Sequence, residues 1–297
     1  MMSAVPFQPS LGRSKMIARV LQYALHIALV LFFLFPLVFM FVSAFKGDEL
    51  QLLKDMGSMM AFVPHGDVSG KNFASVFSSS SFRQAFFNST FTVSITVILG
   101  ILVNSMLAYA LARFRFRGRT LILTAIIALI IIPFEAIAVP LLMLVNELPW
   151  FSGTRGWLDS YQVQIIPFVA HAFSIYLFYQ FFIALPKDLE EAAMMDGASR
   201  LRIYWSIVMP LSKPVIATVA VLQFLSRWGD LLWPVMVVRG DNYATLPLAM
   251  QTFFGQYPRH WGEVMAFAAM ATLPTLSLFI VFQRWFVRSA ISSGVKG

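Results

Sequence analysis

The chain has 297 residues and a formal net charge of +8, and 59% of its residues are hydrophobic while only 12% are charged. Soluble domains carry about 25% charged residues, so this composition indicates an integral membrane protein and argues against a soluble enzyme. The sequence contains no cysteine, which excludes disulfides, thiol nucleophiles and cysteine-ligated metal centres.

Six segments are apolar over the roughly 20 residues that a helix needs to cross the hydrocarbon core. The first is too long for the apolar core of a signal peptide and lacks a small-residue cleavage pattern, so we predict a retained span. The sequence therefore predicts an all-α integral membrane protein with six transmembrane helices. In chain order the predicted spans are 20–45, 86–112, 121–145, 165–185, 215–238 and 264–287.

Positive charges predict the orientation, because Lys and Arg accumulate in loops that remain cytoplasmic. With the N-terminus placed inside, 14 of the 22 Lys and Arg fall in inside segments, 7 fall outside, and Arg227 lies within a span. This bias predicts that both termini are cytoplasmic, and it explains the net charge without nucleic-acid binding. The predicted organisation is a tail (1–19), a first span with a long outer loop (20–83), a five-helix transmembrane domain (84–287) and a second tail (288–297).

The second span carries a stripe of small or polar residues at every fourth position. Successive members are offset by about 40° on a helix with about 3.6 residues per turn, so the stripe curls slowly around one face. Such a stripe favours close helix packing in lipid, and the alternative is a polar lining for a transport pathway. Its members are Asn88, Thr92, Thr96, Gly100, Asn104 and Ala108.

The third span contains Glu135 within the sequence IIPFEAIAVP. The two prolines, Pro133 and Pro140, predict a broken or kinked helix whose freed backbone groups face a cavity. An ionisable residue at membrane depth is a candidate functional residue, so Glu135 is a candidate for a transport pathway. The alternative is that Glu135 lies near the outer mouth or pairs with a neighbour.

The fifth span contains the sequence SRWGDLLWP, in which Arg227 and Asp230 are three residues apart and share one helix face. They form either an ion pair that cancels its own charge or a polar patch in a pathway. Trp228 and Trp233 flank them. Aromatic faces beside carboxylates suit sugar rings, although both tryptophans equally suit packing against lipid.

A long polar stretch, LEEAAMMDGASRLRIYWSIVMPLSKP, separates the fourth and fifth spans. Strong helix formers at its start, Gly197 at a left-handed helix end and Ser199 as an N-cap predict a helix–turn–helix unit at the cytoplasmic surface. A stripe at i, i+3, i+4 and i+7 predicts a second helix with an apolar face for lipid headgroups or a groove in another protein. The stripe consists of Leu201, Tyr204, Trp205 and Val208.

The sequence lacks the common motifs of catalysis and nucleotide binding. There is no G-x-x-x-x-G-K-[ST] phosphate loop, no H-E-x-x-H and no G-x-S-x-G, and the four histidines are far apart in sequence. Any transport work must therefore be driven by an ion gradient or by a partner.

The same polar stretch resembles the signature E-A-A-x3-G-x9-I-x-L-P of permease subunits in bacterial ABC importers. Glu191, Gly197, Ile207 and Pro210 stand at the matching positions, with Met209 in place of the usual leucine. Segments 108–119, 228–234, 245–250 and 282–297 resemble the maltose-type, sugar-importing branch in particular. Gly229 stands where that branch usually has asparagine, a change that fits either a different substrate or closer helix packing.

The resemblance implies a permease subunit of the bacterial inner membrane that forms half of a pathway for a carbohydrate. The implied partners are a second homologous permease, two ATPase subunits that bind ATP and Mg, an extracytoplasmic solute-binding protein and the surrounding membrane lipid. The chain itself would be no enzyme and would bind no cofactor or metal. The last outer loop, 239–261, would face the binding protein.

The resemblance also implies which residues act. Loop 185–214 would be a cytoplasmic two-helix coupling loop that docks on the ATPase. The residues implied to couple to the ATPase are Glu190, Glu191, Ala192, Ala193, Asp196, Gly197, Ile207 and Pro210. The residues predicted for the substrate pathway are Glu135, Asn104, Trp228, Gly229, Asp230 and Trp233.

Three alternatives remain open on the sequence alone. A permease for glycerol phosphate or another polyol-like solute shares the signatures, but an anionic solute favours cations along its path and Arg227 is the one cation deep in a predicted span. An ion-coupled secondary transporter would use Glu135 and Asp230 for proton coupling, and it leaves the loop signature unexplained. A structural or sensory membrane protein explains neither the signature nor the charges within spans.

Overall fold

The structure is a computed structural model that describes the backbone of residues 11–149 and 156–294 and the side chains of residues 15–149 and 156–282. Within these residues the chain is helical and forms no β-sheet. The predicted all-α class is confirmed. Five cations that enter the charge count above have side chains outside the described residues: Arg13, Arg155, Arg284, Arg288 and Lys296.

Fifteen α-helices follow one another in the described residues. They are α1 Leu11–Phe45, α2 Glu49–Asp55, α3 Lys71–Ser78, α4 Ser80–Arg113, α5 Arg119–Ile131, α6 Phe134–Glu147, α7 Tyr161–Ile165, α8 Ala172–Ala184, α9 Asp188–Met195, α10 Arg200–Ile203, α11 Met209–Leu211, α12 Lys213–Trp228, α13 Leu232–Val237, α14 Leu246–Phe254 and α15 Trp261–Gly294. Short 3₁₀ turns lie at Met59–Phe62, Ile166–Phe168 and Asp241–Tyr243, and a π-helical turn lies at Tyr204–Val208.

Four helical stretches in the described residues are long and apolar enough to cross a membrane, and the number rises to six if each of two bent pairs is one span. The four are residues 15–45, 80–113, 161–184 and 261–282. One bent pair joins α5 to α6 at 108°, and the other joins residues 200–211 to α12 at 77°.

Proline and glycine account for the breaks in the predicted spans. The third span breaks as predicted: Ile132 is extended, Pro133 caps α6, and Pro140 remains inside that helix. The prediction of a continuous fifth span to residue 238 is wrong. Helix α12 ends at Trp228 with Gly229 as its C-cap, and the short α13 follows. The Asp230 carboxylate accepts a hydrogen bond from the Trp233 N–H and so helps to start α13.

The described residues form two compact units. The first comprises residues 11–76 and 260–269, and a buried ion pair organises it: Lys46 Nζ lies 2.6 Å from Asp55 Oδ2 and 2.7 Å from the Met60 carbonyl oxygen. The hydrogen bond from Lys46 holds the pKa of Asp55 below its usual value. The Glu49 carboxylate accepts hydrogen bonds from the backbone N–H groups of Trp261 and Gly262.

The second unit comprises residues 77–149, 156–259 and 270–294, and α4 is its central helix. All six stripe residues of α4 are buried, which confirms the packing interpretation of the stripe. Gly100 leaves room for the Gln223 side chain of α12, because a Cβ atom at Gly100 would lie 2.5 Å from the Gln223 amide. The main apolar core of this unit lies between α4, α8, the π-helical turn and α12.

Candidate functional site

The polar stretch after the fourth span folds into two short helices joined by a glycine turn, as predicted. Gly197 has a φ of +80°, in the left-handed region that favours glycine. Next to it, the Ala198 N–H donates to the Ala193 carbonyl at 2.9 Å and closes α9. The Ser199 hydroxyl then accepts a hydrogen bond from the Arg202 N–H, which confirms Ser199 as the N-cap of α10.

One side of this two-helix unit is exposed and mixes acidic with apolar groups. Glu191, Ala192, Asp196 and Pro210 are exposed, as is Gly197, whose missing Cβ would point into open space. Met195 is 88% exposed at the end of α9. Ala193 and Ile207 are half-buried and pack against the core of the second unit, so they form the base of the helices.

The predicted apolar stripe of the second helix is wrong as a single face. Leu201 and Trp205 are 59% and 48% exposed, whereas Tyr204 and Val208 are fully buried in the core. The cause is the π-helical turn at Tyr204–Val208, since a wider turn breaks the 3.6-residue repeat on which an i, i+3, i+4, i+7 stripe depends. The unit therefore presents two large apolar side chains outward and anchors itself with two others.

Glu190 differs from its neighbour Glu191, although both were predicted to couple to the ATPase. Its carboxylate is buried, with Oε1 2.6 Å from Arg113 Nε, and Oε2 accepts a hydrogen bond of 3.0 Å from the Tyr109 hydroxyl. Arg113 Nη2 also donates to the Leu185 carbonyl at 3.0 Å. Glu190 is thus engaged within the chain and does not belong to the exposed side of α9.

A basic cavity of about 280 Å³ adjoins this ion pair. Apart from Arg113 and Glu190, its charged lining consists of four cations and one carboxylate: Arg115, Arg119, Lys187, Arg200 and Glu191. Arg200 stacks over the Phe114 ring at 5.4 Å from its centroid. The excess of positive charge favours acidic groups at this surface.

Arg227 and Asp230 form an ion pair, with Nη1 2.7 Å from Oδ2. The guanidinium carbon of Arg227 lies 3.5 Å from the centroid of the Phe168 ring, which gives the cation a second favourable contact. Arg227 also borders a small polar cavity lined by Thr92, Thr96 and Gln164. The pair is therefore self-neutralising and lies beside a polar space.

The other residues predicted for the substrate pathway are placed differently. Trp228 donates from Nε1 to the Ala271 carbonyl and stacks on Phe224, and Trp233 donates to the Val163 carbonyl from a fully buried position. The Asn104 amide donates to the Val169 carbonyl and accepts from the His171 N–H, so it bridges the break before α8.

Glu135 and Gly229 are the exposed members of the predicted pathway set. Glu135 lies in the first turn of α6, where the helix dipole stabilises a carboxylate. Gly229 follows the end of α12 directly, next to Asp230 of the ion pair.

Sequence reasoning missed the side chains that hold the two-helix unit in place. Arg113, one of four arginines in the basic hairpin 113–119, was counted only among the cations that predict the orientation. Ser105 and Tyr109 were not linked to the loop, and Tyr204 was assigned to its apolar stripe. One signal was present in the sequence: Ser105, Tyr109 and Arg113 are spaced by four along α4, so they lie on one side of that helix.

This fold and this site define a polytopic helical membrane protein with a structured two-helix loop between two apolar segments. Residues 96–292 match the family described as "Binding-protein-dependent transport system inner membrane component". The chain belongs to this family, whose members are permease subunits of ABC importers and not enzymes.

Named relatives agree with this assignment. The chain is 31% identical over 264 residues to the arabinooligosaccharides transport system permease protein AraQ of Halalkalibacterium halodurans, covering 89% of this chain and 91% of the relative. It is 32% identical over 273 residues to the sn-glycerol-3-phosphate transport system permease protein UgpE of Yersinia enterocolitica, covering 89% and 92%.

A solved structure shares the fold. It is the crystal structure of a bacterial ABC transporter involved in the import of the acidic polysaccharide alginate. Its matching chain has a TM-score of 0.80 and 22% identity, with coverage of 94% of this chain and 100% of that chain. At this identity the likeness concerns the fold alone.

Proposed function

We propose that this permease moves a carbohydrate across the bacterial inner membrane in an ATP-driven importer. It would form half of the pathway, and a second homologous permease would form the other half. Two ATPase subunits and an extracytoplasmic solute-binding protein would complete the assembly. In this topology both termini and loop 185–214 are cytoplasmic, and residues 200–211 belong to that loop. The bent pair α5 and α6 forms one of six spans, and α12 belongs to another.

The observation that carries this proposal is the exposed side of the two-helix unit. Glu191 and Asp196 offer carboxylates, while Met195, Leu201 and Trp205 offer apolar surface that the described chain leaves uncovered. An amphipathic helix with such anchors suits a groove on another protein. We assign that groove to the ATPase, because permeases of this family carry no nucleotide site and need a partner to supply the energy.

A carbohydrate is the favoured solute class. AraQ is named for arabinooligosaccharides, and Arg227, in the last turn of α12, is already neutralised by Asp230 and covered by Phe168. A phosphorylated solute would need a free cation on its path. The relative named for sn-glycerol-3-phosphate keeps that solute as the second candidate, for which the Arg227–Asp230 pair would have to open.

Hydrogen bonds within the chain reduce the number of predicted pathway residues that are free to contact a solute. The polar groups of Asn104, Trp228 and Trp233 are hydrogen bonded to backbone within the chain, so these residues would reach a solute only after rearrangement. Glu135 and Gly229, which are exposed, are the members that we propose for direct contact with the passing solute. Asp230 would contact the solute only if its pair with Arg227 opened. The last outer loop, 239–261, is proposed to face the binding protein.

Gly197→Val tests the docking assignment. A Cβ atom at Gly197 meets open space, so the substitution acts through the positive φ, at a cost of about 1–2 kcal/mol in the turn. We expect lower co-purification of the ATPase and less solute-stimulated ATP hydrolysis. Gly118→Val is the matched control, because Gly118 has a φ of +88° and equally open surroundings in the hairpin before α5.

The result can contradict the proposal in two ways. Equal losses in the Gly197 and Gly118 variants would mean that backbone strain, and not docking, causes the effect. Uptake of labelled arabinooligosaccharide into vesicles that lack ATP would favour an ion-coupled transporter. Uptake of sn-glycerol-3-phosphate in place of the oligosaccharide would favour the second candidate.

A further inference from the structure

Three side chains on consecutive turns of α4 contact the two-helix unit. Ser105, Tyr109 and Arg113 are four residues apart, so they form one row along the helix. The row lies at the end of α4 that leads into the basic hairpin. Buried polar groups need hydrogen-bond partners, and the polar groups of all three side chains find partners on the two-helix unit.

Tyr109 and Arg113, in the C-terminal part of the row, contact α9. The buried carboxylate of Glu190 receives Arg113 Nε at 2.6 Å and the Tyr109 hydroxyl at 3.0 Å. Both side chains of the ion pair are almost completely buried, with 4% and 6% of their surface exposed. Arg113 also donates to the Leu185 carbonyl at the end of α8, so one guanidinium holds both sides of the connection into α9.

Ser105, at the N-terminal end of the row, and the ring of Tyr109 contact the π-helical turn. The hydroxyls of Ser105 and Tyr204 are 2.7 Å apart, and the rings of Tyr109 and Tyr204 have centroids 5.4 Å apart. Tyr204, like Val208, is a member of the predicted stripe that is buried because of the π-helical turn. Each half of the two-helix unit therefore has its own buried polar anchor on α4.

The same helix continues to the break in the fourth span. Asn104, beside Ser105, bridges Val169 and His171, and Gly100 receives the side chain of Gln223 from α12. A displacement of α4 would thus reach both α8 and α12. Well-packed helices with discrete side-chain contacts transmit such displacements as rigid bodies.

We propose that Ser105, Tyr109, Arg113, Glu190 and Tyr204 form a latch that makes the two-helix unit and α4 move as one body during transport. These are positioning residues: they touch neither the ATPase nor the solute. The proposal rests on the proposed function, in which the exposed side of α9 docks on the ATPase. According to this proposal, α4 is the helix that receives the motion of the docked two-helix unit. Buried ion pairs contribute little net stability compared with apolar packing, so a positional role gives a reason for this one.

The first test compares coupling with assembly in the complete importer reconstituted in lipid vesicles. Glu190→Gln leaves Arg113 buried without its counter-ion, so it threatens folding as well as coupling. The double variant R113Q/E190Q removes both charges, so no buried charge is left without a counter-ion. A latch predicts that the double variant assembles but hydrolyses about tenfold more ATP per solute molecule transported.

Two matched controls isolate the latch from simple charge removal. Asp188→Asn removes a carboxylate from the exposed first turn of α9, and Arg117→Gln removes an exposed arginine from the same hairpin. Both should keep the parent ratio of ATP hydrolysed to solute transported. Parent-like ratios in R113Q/E190Q as well would overturn the latch, because the ion pair would then serve folding only.

The second test measures motion directly and uses the natural absence of cysteine. Spin labels on L189C, in α9, and V103C, on an exposed position of α4, report one distance across the latch. In the parent importer this distance should stay the same with and without ATP, while in R113Q/E190Q it should broaden or shift on ATP addition. A parent distance that changes with ATP as much as the variant distance would overturn the latch.

The two proposals fail in distinguishable ways. If the parent chain binds no ATPase, or if its uptake does not need ATP, the proposed function fails and the latch fails with it. If the parent importer is ATP-driven and tightly coupled but R113Q/E190Q behaves like the parent in both tests, only the latch fails.

Discussion

Two arginine–carboxylate pairs in the second unit are alike in chemistry but differ in what they connect. Arg113 and Glu190 are 77 residues apart and join α4 to α9, whereas Arg227 and Asp230 are three residues apart at the end of α12. The N–O distances, 2.6 Å and 2.7 Å, are nearly equal. A local pair neutralises its own charge, but only a pair between distant elements can hold those elements in register.

The surroundings of the two pairs also differ, because the pair between distant elements is more completely buried and has more hydrogen-bond partners. Glu190 has a second donor, Tyr109, and its arginine also binds the Leu185 carbonyl, so the remote pair is part of a buried network. Arg227 and Asp230 are 12% and 11% exposed, and Arg227 has the Phe168 ring as a further partner. Loss of one member should therefore cost more at the remote pair than at the local pair.

The largest expected effect is that of Glu190→Gln. The variant leaves the Arg113 guanidinium buried without a counter-ion, and we expect the purified protein to lose about 3–5 kcal/mol of stability. Thermal melting in detergent, with parent and variant measured side by side, checks this. Asp188→Asn, on the exposed first turn of α9, should melt like the parent. Equal melting of Glu190→Gln and Asp188→Asn would mean that the buried Glu190 carboxylate contributes no more stability than an exposed one.

Asp230→Asn is expected to have a smaller effect. The amide oxygen can still accept the Trp233 N–H, and Arg227 keeps its contact with Phe168, so the loss should be about 1.5–3 kcal/mol. The same melting experiment measures it. A fall in transport rate far beyond the loss in stability would support solute contact at Asp230. A loss larger than that of Glu190→Gln would reverse the ranking of the pairs.

Tyr109→Phe sharpens the comparison by removing one hydroxyl from the remote network while keeping the ring. The Arg113–Glu190 pair remains, so the expected loss is about 0.5–1.5 kcal/mol. The contacts of the ring with Phe182 and Tyr204 should be retained. Melting of Tyr109→Phe in the Glu190→Gln background should add almost nothing, because the hydroxyl has then lost its charged acceptor. Full additivity would show that the network is not cooperative.

Acidification acts on a third pair, Lys46 with Asp55 in the first unit. It is expected to leave stability unchanged near neutral pH and to lower it only in acid. The pKa of Asp55 is lowered chiefly by its hydrogen bond from Lys46, so the folded state favours the carboxylate. That stability is present above the ordinary aspartate pKa and is lost as the pH falls through the lowered value. His65, whose Nε2 lies 2.9 Å from Asp55 Oδ2, is the other titratable group beside it.

Hydrogen exchange of residues 46–62, corrected for the intrinsic pH dependence of exchange, measures this effect. Protection should be constant from pH 7 to pH 5 and should fall below the ordinary aspartate range. Lys46→Met removes the cause of the shift, so its protection should be lost at a higher pH than in the parent. A parent profile that changes above pH 5 would contradict the assignment to Asp55.

Much of the architecture could be predicted because local patterns determine it. Apolar length predicted the membrane helices, Pro133 predicted the break before α6, and Gly197 with Ser199 predicted the two-helix unit. The errors also have local causes. The fifth span ends early because Gly229 ends α12 and the Asp230 carboxylate accepts the Trp233 N–H in the first turn of α13. The stripe on the second helix divides because a π-helical turn changes its period.

The sequence by itself determined the class of protein and the position of the two-helix unit, since each depends on composition or on residues within a few positions. It placed Arg227 and Asp230 on one helix face but left open whether they form an ion pair. Only the tertiary structure decided that Glu190 faces inward while Glu191 faces outward, that Tyr204 anchors on Ser105, and that the indole N–H groups of Trp228 and Trp233 bind backbone within the chain. Those facts depend on contacts between residues 43 to 99 positions apart in the chain. No local pattern encodes such contacts, because they exist only once the helices have packed together.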